Sequence, residues 1–168
     1  RNYRPYRYGH VLLWRAEVAV EEDDLDYARQ LVNMIRERVQ DDFVMGRCDT
    51  YIFDGREKVI DWNQPAANYL VEPYPPDAEA FSSQENARKA VRLEHRLEFA
   101  TEGLRFFQLK RWGIAEETLN NFLQHPEELR IHSVLEGANF DPDVDDYMPI
   151  PQSQLDLQDA LKQDPGYE

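Results

Sequence analysis

Apolar residues recur at helical spacing in several stretches of this chain and lose that rhythm between them. From Tyr6 to about Val20, the residues Val11, Leu12, Ala16 and Ala19 share one face at about 100° per residue. This predicts a first helix, with Pro5 suited to its first turn. The acidic cluster Glu21 to Asp24 interrupts it, and the last of these acids favour a helix N-terminus. A second helix is predicted over Leu25 to Val39, where Leu25, Ala28, Leu31, Val32, Ile35 and Val39 keep the spacing. Small residues at Ala16 and Ala28 let the two pack closely as an antiparallel αα-hairpin.

Between about Asp41 and Phe81 the periodicity gives way to aromatic and turn residues, among them Tyr51, Phe53, Trp62, Asn63, Pro65, Tyr69 and Tyr74. Tyr51-Ile52-Phe53, then Asp54-Gly55, then Lys58-Val59-Ile60 predict a short hairpin within this long loop. Ser82 with Glu85 reads as a capping box that opens a helix at about Ser83. Along that helix Ala90, Leu93, Leu97, Ala100 and Leu104 predict the buried stripe. Glu94, Glu98 and Glu102 line one side of it and Arg88, Arg92 and Arg96 the other, placed to pair with neighbouring helices. Gly103 is expected to bend the helix and Gly113 to end or redirect it.

Ile114 to Gln124 predicts another helix, Glu127 to Leu135 is ambiguous, and from Gly137 the pattern is irregular. Apolar Tyr147, Met148, Ile150, Leu155, Leu157 and Leu161 favour a tail draped over helices. The expected organisation is one mostly α-helical unit. It comprises an αα-hairpin at 1–40, an aromatic loop insertion at 41–81, a charged helix with its followers at 82–136, and a wrapping tail at 137–168.

Composition narrows the functional classes. A chain of 168 residues with 42% hydrophobic content can bury a core. It contains no run of about 18 apolar residues, so no helix is long and apolar enough to cross a membrane. The opening RNYRPYRYGH, with neither an initiator Met nor a leader, suggests the C-terminal part of a longer protein. The 33 acidic against 19 basic residues give a formal net charge of −14. A nucleic-acid binder needs the opposite field to release counterions from phosphate. Anionic lipid is repelled as well, and neutral polymers such as glycans are least affected.

Site chemistry narrows them further. Cys48 is the single cysteine, so no internal disulfide forms. His10, His95, His125 and His132 lack metal-ligand spacing. No nucleophile elbow, phosphate loop or metal set is present. The Glu94, Glu98 and Glu102 row beside Arg105 suits salt bridges better than the paired carboxylates of glycoside hydrolysis. The expectation is a protein without catalytic activity and without a cofactor. Asp141, Asp143, Asp145 and Asp146 offer hard oxygen ligands but lack the Gly and Glu of an EF-hand loop, leaving a bound calcium and a solvated acidic turn both open.

Three blocks carry a family resemblance. Tyr6 to Val18, YRYGHVLLWRAEV, is similar to a helix written Y-R-x-A-E-V-L-L-x-x-A-E-A. Arg92 to Gly113, RLEHRLEFATEGLRFFQLKRWG, resembles E-R-R-x-E-L-A-x-E-G-x-R-F-F-D-L-R-R-W-G, with His95 in place of an Arg and Gln108 in place of an Asp. Tyr147 to Gln154, YMPIPQSQ, with KQDPGY at Lys162 to Tyr167, resembles Y-L-x-P-I-P-x-x-E and Q-N-P-G-Y. Together they resemble the SusD/RagB family, nutrient-binding lipoproteins of the Bacteroidetes outer membrane. The resemblance implies a mostly α, SusD-like helical fold with a tetratricopeptide-like αα-hairpin, long loops and an irregular C-terminal tail. It also implies a lipid anchor outside this fragment at the outer-membrane surface. The implied partners are a glycan or other nutrient and a SusC-like TonB-dependent transporter. The matched residues read as framework, so no binding residue is carried over from them.

Glycan binding needs flat apolar rings rimmed by hydrogen-bonding groups. Trp62, Tyr69 and Tyr74 supply rings, and Asn63, Gln64, Asn68 and Asp61 supply a rim, with Tyr51 and Phe53 as second choices. The same rings can instead form the loop's own small core. The alternative function is a helical protein–protein docking module with no ligand site of its own. Docking predicts buried rings and an exposed apolar patch on the first two helices. Glycan binding predicts an exposed platform, with Trp62 at least partly open to solvent.

Overall fold

The first two helices form where the periodicity predicts them, α1 at Tyr8–Glu21 and α2 at Leu25–Asp42. They belong to a computed structural model that describes residues 6–51, 58–68, 71–125 and 135–167. Pro5, Phe53, the Asp54-Gly55 turn, Tyr69 and nearly all of the Glu127–Leu135 segment lie outside the described residues. The chain divides into two compact units, Arg1–Ala100 and Thr101–Glu168, where the sequence reads as one.

The first unit is a three-helix arrangement carrying a β-hairpin. Asp23 turns the chain between α1 and α2 with a left-handed φ of 61°. Asp24 then caps α2, its Oδ1 accepting from the Tyr27 N–H at 3.2 Å. Ala16, Ala19 and Ala28 are fully buried, so no bulky side chain holds α1 and α2 apart. Leu13, Val20, Val32 and Ile35 fill the space around them, each worth about 1.5–3 kcal/mol of burial.

The third helix, α3, spans Gln84–Glu98 and packs on both α1 and α2. Its cap is Ser83, whose side chain accepts from the Asn86 N–H at 3.2 Å. Ser82 instead donates its hydroxyl to the Glu79 carbonyl, within a 3₁₀ turn at Glu79–Phe81 and its cap. The expected Ser82/Glu85 box therefore does not form.

The buried face of α3 is also rotated from the apolar stripe. Ala87, Ala90, Val91, Glu94 and His95 face inward, while Leu93 and Leu97 are exposed. Ion pairs explain the rotation. The Glu94 carboxylate accepts from Arg36 Nε of α2 at 2.9 Å, and Glu98 is held by both Arg7 and Arg38. The expected charge pairing with neighbouring helices thus occurs, but on the acidic side it takes over the core-facing position.

α3 stops at Phe99, and Thr101 and Gly103 both take positive φ, 68° and 76°. The single bent helix expected through Gly103 is therefore two helices in two units. The second unit contains α4 (Arg105–Arg111) and α5 (Ala115–Leu123), joined through Gly113 at φ 67°. The short helices α6 (Pro142–Asp145) and α7 (Gln152–Leu155) follow.

Leu109, Ala115 and Phe140 form the second unit's buried cluster, flanked by Phe106, Trp112, Ile114 and Leu119. Tyr147, Met148, Leu157 and Leu161 of the tail, read from the sequence as draped on helices, are exposed, and side-chain hydrogen bonds hold other parts of it. Asn120 exchanges two hydrogen bonds with the backbone of Phe140 at 2.8 and 3.0 Å. Gln163 does the same with Ile150, both at 2.9 Å. The protein is mostly helical, with one two-stranded sheet among the described residues.

Candidate functional site

The hairpin lies in the first unit and is longer than the sequence predicts, with β1 at Gly46–Tyr51 and β2 at Lys58–Pro65. The strands are antiparallel, and the ladder contains irregularities. Gly46 and Arg47 are neighbours on β1, yet their partners on β2 are Pro65 and Asp61. Trp62, Asn63 and Gln64 therefore bulge out of the ladder together.

Two local features hold the bulge. Asp61 Oδ1 accepts from the Asn63 N–H at 2.9 Å, an Asx turn that carries the chain around Trp62. On the other strand, a Cβ at Gly46 would lie 2.7 Å from the Asp61 carbonyl oxygen and 3.0 Å from the Trp62 Cα. Only glycine lets β1 come this close to the base of the bulge.

The bulge presents Trp62 to solvent at 65% relative exposure. Its ring is in no ring or cation contact among the described residues. Asn63 is exposed, and its side-chain amide has no hydrogen-bond partner among the described residues. Gln64 accepts from Arg47 Nη1 at 3.3 Å. A flat ring and a free amide thus share the bulge of β2, with a guanidinium of β1 bonded to it, an arrangement that can stack on an apolar sugar face and bond its hydroxyls.

Tyr51 and Tyr74 are placed elsewhere. Tyr51 pairs with Lys58 at the far end of the ladder, its backbone roughly 13 Å along the strand from Arg47. Tyr69 lies outside the described residues. Tyr74 is a half-buried strut on α2. Its backbone N–H donates to Asn33 Oδ1 at 2.7 Å, and its carbonyl accepts from Asn33 and Arg29. Arg36 lies 4.0 Å over its ring and donates to its hydroxyl at 3.0 Å. Phe81 meets the ring edge-on at 5.2 Å.

The remaining side of Tyr74 borders an open groove of about 330 Å³, lined also by Glu79, Asn86, Lys89 and Leu93. Burial pushes the Tyr74 hydroxyl above its ordinary range. It pushes the Glu94 carboxyl up as well, against the opposing pull of Arg36.

Sequence reasoning missed Gly46, Arg47 and the groove. Gly46 and Arg47 sit in a polar run without strand alternation, so nothing marked them as opposite Trp62. The Asp-x-Asn spacing at Asp61 and Asn63 was the legible signal for the turn. In the second unit, Asp141 caps α6 by accepting from the Asp143 N–H at 3.0 Å, and Asp146 pairs with Lys110 at 3.4 Å. No group of three or more His, Cys, Asp or Glu among the described residues is placed to hold a metal.

A model of the SusD family matches residues 1–167. The chain belongs to the SusD family. No curated protein and no solved structure matches it. SusD proteins bind nutrients, glycans among them, at the cell surface, and they are binding proteins rather than enzymes. No helix among the described residues is long and apolar enough to cross a membrane.

Within this SusD protein the matched helix is framework. Glu94 and Glu98 are buried in ion pairs, and Leu109 sits in the second unit's core. His95 is fully buried, its Nε2 2.9 Å from Glu17 Oε1 of α1. A base therefore still meets an acid at the position where His replaces the usual Arg. Glu94, Glu98 and His95 tie α3 to its neighbours.

Proposed function

We propose that this SusD protein binds a glycan on the Trp62 bulge and passes it, without chemical change, to a SusC-like TonB-dependent transporter in the outer membrane. A lipid anchor outside this chain holds it at the surface. The observation that carries the reading is the 65% exposure of the Trp62 ring. A large ring held open on a bulge, with the free Asn63 amide beside it, suits a ligand that arrives from water. Screening the protein against a glycan array, with product analysis of every bound sugar, tests the reading. Retention of an oligosaccharide in intact form supports it. Binding of no glycan, or hydrolysis of the bound one, overturns it.

The docking reading is favoured by a separate observation. Tyr8, Val11, Trp14 and Val18 are all exposed along one side of α1, an apolar stripe of the kind that marks an interaction surface. The two readings coexist if α1 faces the transporter while the bulge holds the ligand. Polar substitution of Val11 and Val18 that abolishes transporter association but spares glycan binding supports that division of labour. Loss of glycan binding instead contradicts it.

A further inference from the structure

We infer that the glycan taken by the Trp62 bulge is acidic, a sugar chain bearing carboxylate or sulfate, and that Arg47 selects it. The inference rests on the Trp62 reading above and adds the ligand's charge to it. The first-unit cations are mostly matched to acids. Arg7 and Arg38 hold Glu98, Arg36 holds Glu94, Arg15 holds Glu22, Arg88 holds Glu21, and Lys89 holds Glu85. Like Arg96 on α3, Arg47 is exposed and is in no ion pair among the described side chains, which do not include that of Asp49 on the same strand. The one hydrogen bond of Arg47 there goes to the neutral Gln64 oxygen at 3.3 Å. Asp61, its partner across the ladder, directs Oδ1 to the Asn63 N–H at 2.9 Å instead.

One guanidinium of the first unit stands at the base of the Trp62 bulge. This one is tied by Gln64 to the segment that exposes Trp62. Trp62 and Gln64 are two residues apart in the same bulge, at most about 7 Å along the chain, a span that a disaccharide covers. One ring of such a ligand stacks on Trp62 while the anionic group of the same or the next sugar meets Arg47, whose planar fork matches carboxylate and sulfate geometry. The overall charge of −14 repels anions at long range. At physiological salt that field is screened beyond about 8 Å, so the nearest charges dominate.

The test is an affinity comparison at 0.15 M salt on matched oligosaccharides. Uronate chains are compared with their carboxyl-reduced neutral counterparts, and sulfated chains with their desulfated forms. Tighter binding of one acidic class than of its neutral match is expected. Arg47→Gln should weaken that class about fivefold, the scale of one exposed ionic contact, and leave neutral binding unchanged. Arg96→Gln removes an equal charge from exposed α3 and should change neither. Whichever acidic class responds identifies the anionic group.

Neutral glycans that bind as tightly as acidic ones, or an equal effect of Arg47→Gln on both, overturn the inference. If those neutral glycans still depend on Trp62, the proposed site survives without its charge selectivity. If no glycan depends on Trp62, both readings fall together.

Discussion

Arg36 lies 4.0 Å over the ring of Tyr74 while its Nε donates to the Glu94 carboxylate at 2.9 Å. One guanidinium thereby joins α2, the loop and α3, with 15% of its side chain exposed against 6% for Glu94. Arg36→Ala would leave Glu94 buried without a counter-charge and should cost about 3–5 kcal/mol. Tyr74→Phe keeps the stack and removes only the hydroxyl acceptor, so about 1 kcal/mol is expected. Urea unfolding of both variants measures the difference. Equal small effects would show that the Arg36 junction does not hold the three segments.

Glu94 should also leave a pH signature. Burial raises its folded carboxyl above the ordinary 4.5, so the folded state binds that proton more tightly than the unfolded chain. Its contribution favours folding below about pH 4.5 and is lost as pH rises through the raised folded value. Glu21 and Glu85 are pushed down by Arg88 and Lys89, and their contributions run the opposite way. The comparison that isolates Glu94 is therefore wild type against Glu94→Gln. The melting temperature of the variant relative to wild type should rise between pH 4 and pH 7. A difference that stays flat or falls would show that Glu94 titrates as an ordinary solvated carboxyl.

The α3 cap distinguishes two adjacent serines. Ser83 accepts from the Asn86 N–H, so Ser83→Ala should cost about 1 kcal/mol. Ser82 donates to the Glu79 carbonyl and accepts from the Asn86 side chain, both at the exposed surface, and Ser82→Ala should stay within about 0.5 kcal/mol. Thermal unfolding of the pair decides the point, and the reverse order would move the helix start to the position that the Ser82/Glu85 spacing suggests.

These sites also show what the sequence made legible. α1 and α2 follow the apolar period closely because small and aliphatic residues alone face their contact. The α3 face does not, since Glu94 is buried against Arg36 of α2 and His95 against Glu17 of α1. Periodicity alone cannot see partners so distant in sequence, and it assigned burial to Leu93 and Leu97 instead. The sequence places the hairpin at Tyr51–Phe53 and Lys58–Ile60, but β1 spans Gly46–Tyr51, and its residues before Tyr51 carry no alternating pattern. The bulge that lifts Trp62 depends on a register that only pairing reveals. Tyr74 and Trp62 look alike in the sequence, as aromatics in a polar loop. They differ because Asn33 and Arg36 reach one and nothing described reaches the other.

Gly46 tests the bulge without touching any ligand. Gly46→Ala would place a methyl 2.7 Å from the Asp61 carbonyl oxygen and the Ile60 side chain, both on β2. The strand must shift, and the shift should alter the environment of Trp62 and weaken glycan binding several-fold. Tryptophan fluorescence and affinity, measured on the same sample, follow both effects. Unchanged affinity with a shifted spectrum would separate the bulge geometry from recognition.

The most direct measurement is Trp62→Ala, assayed for glycan affinity and melting temperature together. An exposed platform ring predicts a marked loss of affinity with a stability change below about 1 kcal/mol. A ring needed for packing predicts a loss of about 3–5 kcal/mol. Weakened binding by a variant that melts like wild type is the result expected here. Unchanged glycan affinity in a stable variant would contradict the assignment of Trp62 as the binding surface.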